Sequence, residues 1–336
     1  MTHELKKIVK AHLKYKEEGF KSVLATVVAL DGSSYRRPGV RMLICENGEL
    51  TGAVSGGCVE KEVVFQANSV FTTGRPKMMT YDGRFRLGCE GVLYILLEPF
   101  APEPMLLNSF NSAIRERKSF SITSHYIKAY GERDNLGSAF IIDGKTYDLQ
   151  GNDQKKESLE KFEQELHPAY KLVIVGGEHD AVQLSQLALQ MGWEVTVCTV
   201  PTEEKMLADF PGIHALWNKD PFEIPVTEID KQTAVVLMTH SYVKDLKYLF
   251  ALRKTKPMYL GLLGPSKRRE KLFNEYIDLY PDGDFDFFDT IHGPAGLNIG
   301  AETPEEIAIA ILAEILAVIR NQQPMMLRDK QKGIHN

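Results

Sequence analysis

Long hydrophobic runs are absent from this sequence of 336 residues. A membrane-spanning helix needs roughly 18 to 20 consecutive apolar residues. The most apolar stretch, 307–319, is shorter than that and is interrupted by Glu314. Residues 1–20 are charged throughout and lack the apolar core of a signal peptide. We therefore expect a cytoplasmic protein with no membrane contact.

Cysteine and excess basic charge are also scarce. The chain has 4 cysteines and no CxxC pair, so neither a disulfide framework nor a zinc ribbon is indicated for a cytoplasmic protein. It has 40 Lys and Arg against 45 Asp and Glu, a net charge of -5. General nucleic-acid binders more often carry a basic surface, so we expect no nucleic-acid partner.

What is present is the composition of a folded globular protein, with 43% hydrophobic and 25% charged residues. From residue 171 onward, apolar strand-like segments alternate with segments of helical spacing. The strand-like segments are 171–177, 193–200, 233–240 and 257–264, and the helical ones are 180–191 and 241–254. This alternation predicts an α/β fold with a Rossmann-like, doubly wound parallel sheet.

The first hundred residues mix both kinds of element. Helical spacing covers 1–18 and 59–74, and strand patterns cover 22–30, 41–50, 77–82 and 92–100. Residues 101–165 differ. A proline-rich connection is predicted at 101–105 and strands at 119–130 and 138–150, and a charged linker followed by an amphipathic helix is predicted within 151–166. We predict a mixed α+β domain at 1–165 and the Rossmann-like domain at 166–336.

The last predicted helix begins at Thr303, a good N-cap residue, with Pro304 in the first helical position and Glu306 three residues after the cap. Its sequence is apolar almost all round, so the helix must be covered on most sides. A place inside one domain, between domains, or at a subunit contact all satisfy this requirement. The last of these makes a homodimer a reasonable expectation.

A glycine-rich loop follows the strand at 171–175 and opens a helix, as in dinucleotide-binding proteins. Gly176 and Ala181 fit the first and third positions of the GxGxxG/A pattern, but Glu178 occupies the second. The next strand ends at Val200 without the acidic residue that binds ribose hydroxyls. The sequence therefore does not predict NAD(P) binding, and a Rossmann oxidoreductase is only the alternative hypothesis.

Three short segments of the first domain combine glycine with reactive side chains. Segment 31–39 carries two arginines, whose planar guanidinium groups suit phosphate or carboxylate. Segments 54–60 and 86–91 carry Cys58 and Cys89, and a helix N-terminus after Cys58 would favour its thiolate. The alternatives are a solvated turn and small buried residues. Cys45 and Cys198 lie within strand patterns and are expected in the core.

Six segments in order along the chain carry a family resemblance: 32–42, 52–60, 87–91, 235–240, 259–269 and 292–317. The sequence resembles the xanthine dehydrogenase accessory family, of the XdhC/CoxI type. The resemblance implies a cofactor carrier rather than an enzyme. Such proteins bind molybdenum cofactor (molybdopterin), protect it, help to obtain its sulfurated form and deliver it to an apo molybdenum hydroxylase. Cofactor-biosynthesis or sulfurase proteins are further implied partners.

The resemblance also selects candidate binding residues. Candidates for the phosphate or pterin are Ser33, Ser34, Arg36, Arg37 and Arg41, and Cys58 and Cys89 are candidates for groups near molybdenum. The glycine motifs add Ser55, Gly56, Gly57 and Gly88. In the second domain the candidates are Gly176, Gly177, His179, Thr239, His240 and His292. His240 is also a candidate acid or base, with an exposed turn histidine as the alternative. A scaffold that binds partners without binding cofactor is a third hypothesis.

Overall fold

The computed structural model describes residues 1–32, 37–57, 59–83, 91–149, 159–281 and 286–330. The chain divides after Pro168 into two compact units. Within the described residues, no helix is both long enough and apolar enough to span a bilayer.

An antiparallel sheet of six strands forms the centre of the first unit. Its strands are β1 Ser22–Asp31, β2 Arg41–Cys45, β3 Leu50–Gly52, β4 Lys77–Asp82, β5 Val92–Pro99 and β7 Gly131–Glu132. Their order is β3-β2-β1-β5-β4-β7. The first eight residues of β1 are all buried, which requires cover on both faces of the sheet. Helices α1, Thr2–Glu17, and α2, Glu60–Thr73, contribute to two of the three hydrophobic clusters that contain residues of β1.

A second antiparallel sheet completes this unit. Its strands are β6 Phe120–Tyr126, β8 Gly137–Ile142, β9 Lys145–Asp148 and β10 Glu160–Leu166, in the order β10-β6-β8-β9. A third helix, α3, spans Pro104–Arg115. Apolar residues of α1, α3 and the second sheet share one core with β1 and β2.

The connection predicted at 101–105 is irregular only as far as Glu103, and helix α3, which begins at Pro104, was not predicted. The prolines there suggested a loop, but Pro104 stands in the first turn of the helix, where proline is favoured because its missing N–H is not needed. Leu106, Phe110 and Ala113 recur at helical spacing and are all buried. That spacing was the evidence for a helix that the sequence interpretation missed.

The predicted amphipathic helix within 151–166 was wrong, because residues 160–166 form strand β10. Exposure alternates along the strand: Phe162, Gln164 and Leu166 are more buried than the residues between them. Strong helix formers fill this segment, yet β10 pairs with β6 along its whole length. Tertiary pairing overrides the local preference here.

The second unit contains a parallel sheet of six strands, which confirms the Rossmann-like prediction. The strands are β11 Lys171–Val175, β12 Glu194–Thr199, β13 Ala215–Asn218, β14 Thr233–Leu237, β15 Tyr259–Leu262 and β16 Ile291–His292. Their order is β13-β12-β11-β14-β15-β16. Strands β12 and β13 extend the sheet on one side of β11. The chain then returns to pair β14 with the other side of β11, and β15 and β16 extend the sheet in that direction.

Helices cover both faces of this sheet, as its continuous buried strands require. One face packs against α4, His179–Gln190, and α8, Pro304–Ile319. The other packs against α5 Tyr242–Leu252, α6 Ser266–Leu279 and the short α7 Asp286–Asp289. Strand β13 and most of α6 were not predicted. Single 3₁₀ turns lie at 201–203, 207–209, 221–223, 226–228 and 327–329.

Helix α8 has the predicted N-terminal cap. The Thr303 hydroxyl accepts from the Glu306 backbone N–H, and the Glu306 carboxylate accepts from the Thr303 N–H. Most of α8 is buried or half-buried within its own unit. Ile309 and Val318 are exposed, but they lie nine positions apart and therefore on opposite sides of the helix. They do not form one apolar stripe.

Candidate functional site

The strand order of the parallel sheet reverses between β11 and β14, and ligands of open α/β sheets bind at that point, outside the carboxyl ends of the strands. Loops that follow β11, β12 and β14 meet there. We call this place the carboxyl-edge crevice and define it by Gly176, Gly177, His179, Asp180, Lys205, Thr239 and His240. It contains five of the six predicted candidates of the second unit.

Gly176 and Gly177 are glycines because neighbouring chain segments leave no room for a side chain. Gly176 has φ +131, and a Cβ atom there would lie 2.5 Å from the Met238 carbonyl oxygen. A Cβ atom on Gly177 would lie 2.9 Å from Cγ2 of Thr199 and 3.1 Å from Cγ of Lys205. The loop after β11 therefore packs against the segments that follow β12 and β14.

Helix α4 begins in this loop without a capping side chain. Its N-cap residue, Glu178, makes no side-chain hydrogen bond to the first turn, and Glu178 and His179 are both exposed. Backbone N–H groups and the helix dipole at such an end favour an anion. The Lys205 side chain lies over Gly177, and its ammonium group has no ion-pair partner among the described residues. Sequence analysis missed this lysine.

On the β14 side, the turn at Thr239 and His240 is held by a buried carboxylate. The Thr239 hydroxyl donates to Asp245 Oδ1 at 2.6 Å, and Asp245 is 1% exposed. His240 has φ +54, a left-handed conformation that is uncommon outside glycine. Its Nε2 lies 3.4 Å from Oδ2 of Asp180 on α4. This contact joins the two sides of the crevice.

An acidic side chain does follow β12, although the sequence prediction found none at the end of that strand. Glu203 lies four residues after β12 and forms an ion pair with Lys244 of α5. Its Oε2 is buried without a hydrogen-bond partner among the described residues. Val200, where the sequence motif would place an acid, is buried.

His292 ends β16, farther along the same edge of the sheet. Its Nδ1 lies 3.3 Å from Oε1 of Glu314, and its ring stacks on Tyr259. Tyr259 and the Gly296 backbone N–H donate to the other oxygen of Glu314, at 2.6 and 2.7 Å. Glu314 was not among the predicted site residues.

In the first unit, the described part of the Cys58 motif is a closed loop before α2. Ser55 donates its backbone N–H and its hydroxyl to Glu60, at 2.8 and 2.6 Å. The Ser55 hydroxyl accepts from the N–H groups of Gly57 and Val59. Burial raises the pKa of Glu60, but the hydrogen bonds from Ser55 bring it below its usual value. Gly56 and Gly57 have open space around them.

The two predicted arginines that the structure describes differ in exposure: Arg41 is buried and Arg37 is exposed. Arg41 is buried in β2, and its Nη1 donates to the Gly39 carbonyl at 2.9 Å and to Gln164 at 2.6 Å. Burial lowers the pKa of Arg41 to about 10. The predicted residues Ser33, Ser34, Arg36, Cys58, Gly88 and Cys89 lie outside the described residues.

Among the described residues, no group of three or more His, Cys, Asp or Glu side chains is arranged to hold a metal ion. Cys45 and Cys198 are core residues, as predicted, with exposures of 1% and 0%. Burial raises the pKa of both thiols, to about 11 for Cys198. Neither is a reactive thiolate at neutral pH.

Comparison with known proteins adds two family matches. Residues 172–315 match the XdhC Rossmann domain, and residues 16–82 match the XdhC and CoxI family. A protein of Bacillus subtilis, named as a probable subunit of xanthine dehydrogenase, is 27% identical over 89% of this chain and 94% of its own length. The "Molybdenum cofactor insertion chaperone PaoD" of Escherichia coli is 25% identical, over 90% of this chain and 85% of its own length.

The fold also matches a solved structure. A protein described as a xanthine dehydrogenase from Bacillus halodurans superposes with a TM-score of 0.78 at 25% identity, over 94% of this chain and 97% of that one. The family matches include the glycine loop, the His240 turn and His292 in one domain, and β1, the Cys58 motif and β4 in the other. The chain belongs to the XdhC and CoxI family.

Proposed function

We propose that this protein binds molybdenum cofactor, protects it, and delivers it, in sulfurated form, to an apo molybdenum hydroxylase of the xanthine dehydrogenase type. The observation that carries the proposal is the uncapped start of α4 at two glycines with Lys205 over the second. The similarity to an insertion chaperone along nine-tenths of the chain supports the same conclusion.

The phosphate of the cofactor fits the start of α4. Backbone N–H groups there supply hydrogen bonds that need no side chain, and Lys205 supplies a cation that is not neutralised by a described carboxylate. Exposed Glu178 adds a repulsive charge at the rim. This combination suits reversible binding, because a carrier must release its cargo.

The pterin would extend from α4 along the carboxyl ends of the strands. His240 is already positioned there by its contact with Asp180, and the Thr239 turn is fixed by Asp245. These groups bind and orient the cargo in our proposal, with His240 as a hydrogen-bonding group rather than a catalytic acid.

Cys58 and Cys89 are proposed to lie near the molybdenum or its terminal sulfur. Cys58 precedes Val59, the N-cap residue of α2, in sequence, and the hydrogen bonds of Ser55 to Glu60 connect the segment before it to the first turn of that helix. Thiolates are soft ligands, and a helix N-terminus favours the thiolate form.

The test is anaerobic purification from a host that makes molybdenum cofactor, followed by measurement of molybdenum and pterin per chain. We expect close to one pterin per chain, and loss of molybdenum in the Cys58→Ala, Cys89→Ala double variant. Cofactor content and delivery to apo-hydroxylase equal to those of the unmodified protein would refute the cysteine assignment. Absence of pterin, even after free cofactor is added, would refute the carrier function.

Substitution of Lys205 provides a separate test of phosphate binding at the start of α4. Lys205→Gln should weaken molybdopterin binding about ten-fold, since a charge-assisted hydrogen bond contributes roughly 1.5 kcal/mol or more. The matched control is Lys231→Gln, because Lys231 is exposed and precedes β14 at the opposite edge of the sheet. Equal affinities for the two variants would place the phosphate elsewhere.

A further inference from the structure

Glu314 and His292 form a polar cluster at the end of β16 that the function proposed above does not explain. Oε2 of Glu314 accepts hydrogen bonds from the Tyr259 hydroxyl and the Gly296 N–H, and its Oε1 is in hydrogen-bonding contact with Nδ1 of His292. Glu314 is on α8 and is largely buried. So many polar contacts to one carboxylate fix its orientation.

Glu314 acts here only as a hydrogen-bond acceptor. Burial raises its pKa, but the hydrogen bonds from His292, Tyr259 and Gly296 outweigh burial and bring the pKa below its usual value. The carboxyl is therefore ionised at neutral pH, and an ionised carboxylate has no proton to donate. The proton in its contact with His292 must be on Nδ1 of the imidazole.

The imidazole is also held on its face. The Tyr259 ring stacks against it with centroids 4.5 Å apart and planes at 22°. In a neutral imidazole with Nδ1 protonated, Nε2 carries a lone pair. Nε2 of His292 has no hydrogen-bond partner in the described part of the chain, and the side chain is 32% exposed.

We propose that Glu314 is a positioning residue that fixes the tautomer of His292, so that the Nε2 lone pair accepts a hydrogen bond from an N–H or O–H group of the ligand bound along the carboxyl edge. This inference rests on the proposed function and adds a recognition element to it. Lys205 and the start of α4 recognise negative charge, whereas His292 recognises a hydrogen-bond donor.

The position of His292 defines the shape of that ligand. Strand β16 is three strands away from β11 in the sheet, which corresponds to about 14 Å. A ligand that uses both ends must be elongated, with an anionic group at one end and a donor-bearing ring at the other. A phosphorylated pterin, whose ring carries N–H and amino donors, belongs to this class.

Glu314→Gln is an isosteric test of the tautomer. Tyr259 and Gly296 both donate to Oε2, so the amide oxygen should take that position and the amide NH₂ should take the position of Oε1. The NH₂ group then faces His292 Nδ1, which must accept. The imidazole proton moves to Nε2, and the side chain presents a donor in place of an acceptor.

The first measurement is ¹⁵N NMR of histidine-labelled, ligand-free protein at pH 8, with His292 assigned from the signals lost in His292→Asn. We expect the Nδ1–H tautomer in the unmodified protein and the Nε2–H tautomer in Glu314→Gln. The second measurement is the affinity for molybdopterin. We expect at least ten-fold weaker binding in both variants and no change in Glu305→Gln, a control at an exposed position of α8.

The outcomes separate this inference from the proposed function. An Nε2–H tautomer in the unmodified protein overturns the inference whatever the protein binds. A reversed tautomer in Glu314→Gln with unchanged molybdopterin affinity also overturns the inference that His292 contacts the ligand, and it does not contradict the carrier function. Failure of the unmodified protein to bind molybdopterin overturns the carrier function and the ligand contact together, while the NMR result still decides the role of Glu314. Urea unfolding of each variant verifies that it is folded.

Discussion

The guanidinium group of Arg268 donates from Nη2 at 2.5 Å and from Nε at 3.2 Å to a single carboxylate oxygen of Asp245. The other oxygen of Asp245 accepts from the Thr239 hydroxyl. Arg268 is on α6 and Asp245 on α5, so one buried carboxylate ties two helices to the turn that presents His240. The arginine is therefore a structural partner of Asp245 rather than a cation that faces a ligand.

Replacement of Arg268 by leucine should cost about 3 kcal/mol of unfolding free energy, because it leaves a carboxylate buried without its cation. Urea denaturation measures this cost. Lys267→Leu, at the neighbouring exposed position, should change stability by no more than about 0.5 kcal/mol. Equal effects of the two substitutions would contradict the assignment.

His12 should make stability depend on pH. Burial, and secondarily the charge of Lys16, lowers the pKa of His12 from 6.5 to about 4. The unfolded chain therefore binds a proton between these pH values that the folded chain does not. Stability is complete above pH 6.5 and is lost as the pH falls toward 4, by up to about 3 kcal/mol.

The measurement is urea denaturation of the unmodified protein and of His12→Phe at pH 7.5, 6 and 5. Phenylalanine keeps a ring against Phe100, which His12 contacts edge-on, but it does not titrate. The stability difference between the two proteins should shift in favour of the variant as the pH falls. A difference that is constant across this range would show that His12 titrates normally in the folded protein.

The cap of α8 should contribute measurably to stability. Thr303→Ala removes the hydroxyl that accepts from Glu306 N–H and should cost about 1 kcal/mol. Thr303→Ser keeps the hydroxyl and should restore most of that loss, as measured by thermal unfolding. An alanine variant as stable as the serine variant would mean that the capping bond contributes nothing.

Glu178 should weaken anion binding at the start of α4. Glu178→Gln removes one charge close to the anion and should tighten pyrophosphate binding roughly three-fold at low salt, since two unit charges about 6 Å apart in water interact by ~0.7 kcal/mol. The gain should shrink in 0.5 M NaCl. Glu223→Gln, an exposed carboxylate in a 3₁₀ turn, is the calorimetric control. Equal pyrophosphate affinities of the unmodified protein, Glu178→Gln and Glu223→Gln would contradict anion binding at the start of α4.

Most of the fold could be predicted from the sequence where burial pattern and local preference agree. Strands such as 171–175 are continuous apolar runs, and the cap at Thr303 is a local motif. The prediction failed where local and tertiary information conflict. Residues 160–166 prefer a helix but pair with β6, and the prolines before 106 concealed a helix whose buried residues have clear helical spacing.

The candidate site followed the same rule. Gly176 and His240 could be placed at the carboxyl edge because each comes at the end of an apolar strand pattern. His292, which ends the two-residue strand β16, was selected through the family resemblance and not by a strand pattern. Their partners could not be predicted, because Lys205, Asp245 and Glu314 come from other segments and have no local motif. The sequence did contain one signal for Glu314: it is the single carboxylate in the apolar segment 307–319. A carboxylate on the packed side of such a helix needs hydrogen-bond donors around it, which marks it as a candidate site residue.

The pairing of β14 with β11 joins segments that are about sixty residues apart in the chain, and α8, which brings Glu314, follows both strands in the sequence. A chain synthesised only as far as β13 lacks the turn after β14 that faces the glycine loop. It also lacks both His292 and Glu314, the carboxylate that orients it. A nascent chain therefore has no complete binding site. The groups proposed to bind the cofactor therefore come together only when α8 has packed against the sheet.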